Sequence, residues 1–348
     1  MLKTLNTLMS LACLALLIFT VGCSQDKSQD KQKIKPPKVR SADPAPKVAV
    51  VPRDPRIAEL FTAGKDCSWN ESGFTSCEAA KKIKKLAFQN QSDDKLAASC
   101  VSALRDPKPS TRGLAATCMN GFNDRTRIPH LAAGLDAFEA EKEPTIRVAI
   151  ACAFSSGNAR ESGVEERVIA LVRKLAAEPQ DNRVAACLLD SMFPQYLLQA
   201  TKPPSKAAGD VALEMLSKAG SLKARAIEVV GLLSDRKPEV CAALAKIATS
   251  GDSWAPALDT MANLRDACLA DLDPVIDVVV QAMNENKYNT WQYQATRKLI
   301  RNVPLTKAQV KKLARASKKL VRQVKGVFKD SAKEINASLT NYKPPAVK

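Results

Sequence analysis

The fold is decided by three similar segments, STRGLAATC at residues 110–118, TIRVAIACA at 145–153 and DNRVAACLL at 181–189. Each carries an arginine near its start and continues as an alanine-rich apolar run. Apolar residues recur in and around these segments at i, i+3, i+4 and i+7, and no period-two alternation is sustained. The three segments are therefore predicted to be helices that repeat at a spacing of about 35 residues.

The same pattern extends outward from these segments over residues 57–303. Breaks such as Asp106-Pro107 and Glu143-Pro144 separate the apolar stretches, and proline is tolerated in the first turn of a helix. Six pairs of helices are predicted: 93–105 with 110–121, 127–140 with 144–155, 161–177 with 181–193, 206–219 with 221–233, 237–249 with 254–265, and 272–285 with 290–302. The region is therefore predicted to be all-α.

The second helix of these pairs resembles the HEAT family of helical repeats. Arg112, Arg147 and Arg183 stand where that family often carries arginine, and the segment 221–230 is similar with Lys223. The resemblance implies an all-α fold that is an α-solenoid of about six helical hairpins, HEAT/armadillo-like, with a C-terminal amphipathic helix. An irregular helical domain is the alternative.

The N-terminus has the layout of an export signal. Lys3 precedes an apolar run over residues 8–22, and Cys23 follows small residues. The segment resembles a bacterial lipoprotein signal peptide, with TVGC at 20–23 as the lipobox, which implies lipid attachment at Cys23. Cleavage without lipidation and an uncleaved anchor are the alternatives. Each of the three readings exports the chain, and the first predicts a membrane-anchored lipoprotein of a bacterial cell envelope, on its periplasmic or extracellular side.

Residues 24–56 are predicted to be a disordered tether, because they combine charge and proline with few apolar residues. The predicted organisation is a signal peptide at 1–22, the lipidated cysteine and tether at 23–56, the helical repeats at 57–303, a basic amphipathic helical region at 304–341 and a tail at 342–348.

Eight cysteines remain after Cys13 and Cys23 are set aside: Cys67, Cys77, Cys100, Cys118, Cys152, Cys187, Cys241 and Cys268. An even number without a CxxC motif favours disulfides in an oxidising compartment, although buried free thiols are an alternative. Their positions relative to the turns predict the pairs Cys67–Cys77, Cys100–Cys118, Cys152–Cys187 and Cys241–Cys268. A Cys118–Cys152 bridge is a rival link.

Charge is concentrated at the C-terminal end. The chain has a net charge of +17, but residues 57–296 carry 28 Lys and Arg against 30 Asp and Glu, whereas residues 297–348 carry 15 against 2. One amphipathic helix is predicted over 306–328, with Val310, Leu313, Ser317, Leu320, Val321, Val324, Val327 and Phe328 on its apolar face. Its basic face comprises Lys311, Lys312, Arg315, Lys318, Lys319, Arg322, Lys325 and Lys329. This helix either caps the repeats or attracts an anionic surface, and the two roles are compatible.

Catalytic motifs are lacking in the sequence, and no cofactor or metal is expected. His130 is the only histidine, and it lies at a predicted helix start. The carboxylate pairs Glu165-Glu166 and Glu141-Glu143 are predicted to diverge or to face solvent. The aromatic cluster of Tyr288, Trp291 and Tyr293 is interpreted as part of the core, with a recognition patch as the alternative.

The sequence thus predicts a non-enzymatic scaffold that binds a protein or peptide partner in the cell envelope. The alternative function is a structural envelope component whose basic C-terminal helix binds anionic lipid or polymer. A nucleic-acid partner is disfavoured by the export signal and by the lack of aromatic residues among the basic ones.

Overall fold

The computed structural model describes residues 54–155, 158–193, 204–233, 235–251 and 253–345. The predicted signal peptide, Cys23 and nearly all of the predicted tether lie outside these residues. The described part of the chain is all-helical and contains no β-strand. The helices are α1 Pro55–Ala63, α2 Glu78–Gln89, α3 Asp94–Ala103, α4 Pro109–Met119, α5 Asp124–Arg127, α6 Leu131–Ala140, α7 Pro144–Ala153, α8 Glu165–Leu175, α9 Asn182–Met192, α10 Lys206–Met215, α11 Gly220–Val230, α12 Lys237–Thr249, α13 Trp254–Leu264, α14 Leu272–Asn284, α15 Thr290–Asn302, α16 Lys307–Gln323 and α17 Phe328–Thr340.

Local sequence signals explain where many of these helices begin. Asp93 caps α3 by accepting hydrogen bonds from the backbone N–H groups of the first turn, and Ser205 caps α10 in the same way. Capping boxes start α15 at Asn289 and α16 at Thr306. Proline occupies the first turn of α4, α7 and α12, where its missing N–H costs no hydrogen bond. The six predicted helix pairs are confirmed as helices, with α5 as an extra turn before α6.

The second helices of the predicted pairs pack side by side in chain order. Contacts run from α4 to α7, then to α9, α11, α13 and α15, and α17 packs on α15. Each of α3, α6, α8, α10 and α12 packs on the helix that follows it as its predicted partner. The last pair differs, because α14 packs mainly on α12 and α16, whereas α15 packs mainly on α13 and α17. The alanine and leucine faces of these helices form one continuous buried core.

The C-terminal region corrects one expectation. The predicted single helix over 306–328 ends at Gln323, and a turn leads into α17. Gly326 has a positive φ of 65°, which glycine adopts without steric cost, so the chain reverses and α17 packs back on α16. Leu313, Ser317 and Leu320 are buried as predicted, but Val327 lies in the turn and is 86 % exposed. Val327 therefore does not belong to the apolar face.

Candidate functional site

The second helices α4, α7, α9, α11, α13 and α15 share one solvent-facing surface, which we call the second-helix face. Two neighbouring depressions on it have volumes of about 400 and 600 Å³. Ala224 and Glu228 of α11 line both depressions. We call their combined surface the second-helix groove, which extends from Phe74 at one end to Trp291 at the other.

Residues 68–76 cover the second-helix face beside the groove. This loop is closed by the Cys67–Cys77 disulfide, and Asn70 holds its turn by accepting hydrogen bonds from the backbone N–H groups of Ser72 and Phe74, both at 3.0 Å. Trp69 is buried on α4 at Gly113, where an added Cβ atom would lie 2.5 Å from the indole ring. Gly73 approaches α7 closely, because a Cβ there would lie 2.7 Å from the backbone nitrogen of Ala149. Glycines at both contacts therefore allow the loop to lie flat on the helices.

Gly113→Ala is expected to displace Trp69 from α4, because the added methyl group would overlap the indole ring. Overpacking of this kind costs about 1–3 kcal/mol. Tryptophan fluorescence should report a more exposed indole, and chemical denaturation should report the lower stability. Gly163→Ala offers a contrast, because nothing lies within 4 Å of a Cβ at that position and only its positive φ would be strained. Unchanged fluorescence in Gly113→Ala would contradict the close contact.

The groove begins where this loop ends. Phe74 stands at its edge with its ring 55 % exposed. The floor that follows is built from small side chains of the second helices, including Ser155, Ala186, Ala224 and Ala255. Small side chains leave room for another chain to approach the helices closely.

Trp291 lies at the other end of the groove. It differs from the other two residues of the predicted aromatic cluster, Tyr288 and Tyr293, because its side chain is exposed. Tyr293 is 2 % exposed and stacks on Phe328, with ring centroids 5.5 Å apart. Tyr288 donates to or accepts from the Thr296 hydroxyl at 3.0 Å, and burial raises the pKa of its phenol well above the ordinary value. These two tyrosines belong to the core, as predicted. Trp291 does not, because it is 72 % exposed on the first turn of α15.

The carboxylates of the groove already have cationic partners. Arg225 forms ion pairs with both Asp190 and Glu228. The Nζ atom of Lys298 lies 2.7 Å from Asp259. Arg183 is exposed at the start of α9 and makes no ion pair or hydrogen bond within the described residues. Among the described residues, Arg183 is thus a cation of the groove whose guanidinium group is free to take a carboxylate from a partner.

Arg112 and Arg147, which occupy the equivalent position on α4 and α7, have acidic partners in the next repeat. Arg112 forms a bidentate ion pair with Glu141, at 2.5 and 2.8 Å, and Arg147 lies 3.8 Å from Asp181. Arg183 has no such partner at the start of α11, where Ala219 and Gly220 carry no carboxylate.

Glu141 corrects the expectation that it faces solvent. Its side chain is only 1 % exposed, because it bridges α4 and the start of α7. Burial acts to raise the pKa of this carboxyl, but hydrogen bonds from Arg112 and from the backbone N–H groups of Lys142 and Glu143 outweigh it and hold the pKa below the ordinary value. Glu141 is therefore a structural anion.

All four predicted cysteine pairs lie at disulfide distance, and the rival Cys118–Cys152 link does not occur. The Cα–Cα separations are 5.7 Å for Cys67–Cys77, 6.2 Å for Cys100–Cys118, 4.8 Å for Cys152–Cys187 and 5.1 Å for Cys241–Cys268. Cys152 and Cys187 line the groove and join α7 to α9. Four disulfides indicate an oxidising compartment to which the protein is exported.

The predicted basic residues are all exposed, and they lie on α16 except for Lys325 in the turn after it and Lys329 at the start of α17. Lys312 forms an ion pair with Asp277 of α14. The other seven make no ion pair within the described residues: Lys311, Arg315, Lys318, Lys319, Arg322, Lys325 and Lys329. The opposite face of α16 packs on α14 and α17.

His130 lies partly buried in a short 3₁₀ turn before α6 and does not line the groove. Burial lowers the pKa of its imidazole, and Asp94 opposes this effect.

Comparison of the chain with protein families, with curated proteins and with solved structures finds no match. None of the helices in the described ranges is long and apolar enough to cross a membrane.

Proposed function

We propose that this chain is an exported α-solenoid scaffold that binds a protein or peptide partner in its second-helix groove. The observation that carries the proposal is the exposure of Trp291 at the end of a groove lined by five packed helices, α7, α9, α11, α13 and α15. Tryptophan is enriched among the residues that dominate binding energy at protein interfaces, and an exposed indole on a folded surface leaves a large apolar area in contact with water.

The solenoid is supported by the order of packing. Successive second helices contact one another in chain order, and Arg112 and Arg147 each reach an acidic residue in the next repeat. In repeat proteins of this kind each unit contacts only its neighbours, and the stacked helices present an extended binding surface. The resemblance to HEAT repeats is part of the same proposal.

Lipid attachment at Cys23 would hold this scaffold at a membrane. The lipobox-like TVGC at 20–23 and the charged, proline-rich residues after it support this arrangement. The Cys23→Ala chain should leave the membrane fraction after a wash with high salt, which weakens attraction by charge alone. Retention of that variant after the wash, equal to that of the intact chain, would contradict the anchor.

Binding is favoured over catalysis by the chemistry of the groove. Its carboxylates Asp190, Glu228 and Asp259 are held in ion pairs, and the only histidine of the chain lies elsewhere. A general acid or base must reach a substrate proton with a suitable pKa, and a paired, exposed carboxylate is a poor candidate for that role.

The proposal is tested by affinity capture from the cell envelope with quantitative mass spectrometry. The intact chain, Trp291→Ala and Phe88→Ala are compared. Phe88 is the matched control, because it is an aromatic residue 65 % exposed that does not line the groove. A protein that the intact chain and Phe88→Ala enrich should be reduced at least tenfold with Trp291→Ala. Equal enrichment by all three chains would contradict binding in the groove.

A second candidate function is binding of anionic lipid or polymer by the basic face of α16. The specific observation is that five exposed cations there, Lys311, Arg315, Lys318, Lys319 and Arg322, lack an ion-pair partner within the described residues. Each basic residue near an anionic membrane surface contributes about 1 kcal/mol, and the attraction weakens with salt.

This candidate is tested with vesicles that contain 30 % phosphatidylglycerol, using the Cys23→Ala chain so that the lipid anchor makes no contribution. Neutralising Arg315, Lys318 and Arg322 to glutamine should reduce co-sedimentation strongly at low salt. The control neutralises Lys82, Lys84 and Lys85 on α2. An equal loss in both variants would indicate a general charge effect and would contradict a specific role of α16.

A further inference from the structure

We infer that the second-helix groove takes an extended polypeptide segment of about eight residues, with a carboxylate side chain placed on Arg183 and an apolar side chain placed on Trp291. The inference rests on the proposed function and specifies the chemistry of the partner. Three features support it: the loop at residues 68–76, the dimensions of the groove and the ion pairs of its charged residues.

The loop at residues 68–76 shows that the second-helix face accepts a non-helical chain. Its backbone comes close enough to α7 at Gly73 that no Cβ fits, and Trp69 lies on α4 as an aromatic anchor. The groove continues this same face beyond Phe74, and its lining includes the small side chains of Ala186, Ser221 and Ala224. A partner segment would therefore extend a mode of packing that this chain already uses within itself.

The length of the segment follows from helix packing. Three helix-to-helix steps separate α9, which carries Arg183, from α15, which carries Trp291. Packed helices lie about 8–10 Å apart, so the groove measures about 24–30 Å. An extended chain advances about 3.3 Å per residue, and about eight residues fill this distance.

Hydrogen-bonding groups along the groove suit a polypeptide backbone. Asn289 and Gln292 use their carbonyl oxygens in the capping box of α15, which leaves both amide NH₂ groups available as donors. The side chain of Gln294 makes no hydrogen bond within the described residues and carries both a donor and an acceptor. These groups can pair with the carbonyl and N–H groups of a segment that would otherwise lose its hydrogen bonds to water.

Charge determines at which end of the groove the acidic residue of the segment lies. Asp190 and Glu228 share Arg225, and Asp259 is paired with Lys298, whereas Arg183 at the Phe74 end makes no ion pair within the described residues. A guanidinium group binds a carboxylate through two parallel hydrogen bonds, and the charged pair is stronger than a neutral one. The acidic residue of the partner therefore lies near Phe74, and its apolar anchor lies at Trp291.

The test is a selection of random ten-residue peptides displayed on phage against the intact, oxidised chain. Selected peptides should carry Asp or Glu near one end and an aromatic or large aliphatic residue about seven positions away. The tightest peptide, made synthetically, should lose at least tenfold in affinity with Arg183→Glu and with Trp291→Ala. Arg125→Glu and Phe88→Ala are the matched controls, since both residues are exposed and lie outside the groove, and affinity for these variants should stay within twofold.

Three failures can be told apart in this experiment. Selected peptides that depend on Trp291 but are neutral or basic, or that bind Arg183→Glu as well as the intact chain, would overturn the acidic segment and leave the proposed function standing. Peptides that become helical on binding, measured by circular dichroism, would overturn the extended conformation. A selection that yields no peptide sensitive to Trp291→Ala would overturn both the inference and the groove as a binding site.

Discussion

Replacing Glu141 by alanine is expected to lower the free energy of unfolding by about 3–5 kcal/mol, because it removes one partner of a buried ion pair and leaves the other without compensation. The carboxylate is almost fully buried, and it accepts two hydrogen bonds from Arg112 and two from backbone N–H groups. The pair joins α4 to the start of α7, so its loss should loosen one repeat from the next. Chemical denaturation followed by circular dichroism measures the change.

The matched control is Glu139→Ala. Glu139 forms an exposed ion pair with Arg167 at 2.9 Å, and surface pairs contribute about 0–1 kcal/mol. A loss in Glu141→Ala no larger than the loss in Glu139→Ala would contradict the buried pair.

The Glu141 carboxylate also makes the free energy of unfolding depend on pH, and the sign of this dependence follows from the direction of its pKa shift. Its pKa is held below the ordinary value of 4.5 in the folded state, so the unfolded chain takes up a proton before the folded chain does. The stabilisation is therefore fully present above pH 4.5 and is lost as the pH falls through the folded-state pKa. In Glu141→Gln, the loss of stability that comes from protonating this carboxyl should disappear. If the free energy of unfolding of the variant falls with acid as steeply as that of the intact chain, the role given to Glu141 is contradicted.

Replacing Cys152 and Cys187 together by serine is expected to cost about 3–4 kcal/mol. The bridge spans 35 residues and joins α7 to α9, and in the loop-entropy model the stabilisation grows with the length of the closed loop. Denaturation of the oxidised double variant and of the oxidised intact chain provides the comparison. The effect should reach the groove as well, because both cysteines line it.

The control for this bridge is the Cys67→Ser, Cys77→Ser variant, which opens a loop of only 10 residues. The same model gives a smaller loss of about 2.7 kcal/mol for that bridge. Its main consequence should be local, with a more exposed Trp69. A double Cys152, Cys187 variant as stable as the intact chain would contradict a structural role for the bridge.

The helices and the disulfides could be read from the sequence because their signals are local. Proline and capping residues mark helix starts, and Cys100 and Cys118 are almost equally distant from the turn between α3 and α4, so an antiparallel pair brings them level. The sequence pattern does not reveal the break after α16, because apolar residues continue through Val324 and Val327. Only Gly326 indicates the turn.

Contacts between distant segments could not be read in this way. Glu141 looks like a solvent-facing carboxylate in sequence, and its burial depends on how α4 and α7 meet. Trp291 and Tyr293 are two residues apart, so they lie on different sides of α15, and only the packing of α13 and α17 decides which side is covered. The docking of residues 68–76 on α4 and α7 depends on Gly113 and Gly73, and neither glycine marks a contact by its local sequence.

Site-specific photo-crosslinking in living cells tests whether a partner lies in the second-helix groove. A photoreactive phenylalanine analogue is placed at position 291 in one chain and at position 88 in another, since both sites are exposed and only the first belongs to the groove. We expect a discrete higher-mass adduct from position 291 and no adduct from position 88. The yield of the adduct from position 291 should fall when Arg183→Glu is added. No adduct from position 291, or adducts of equal yield from both positions, would contradict a partner in the groove.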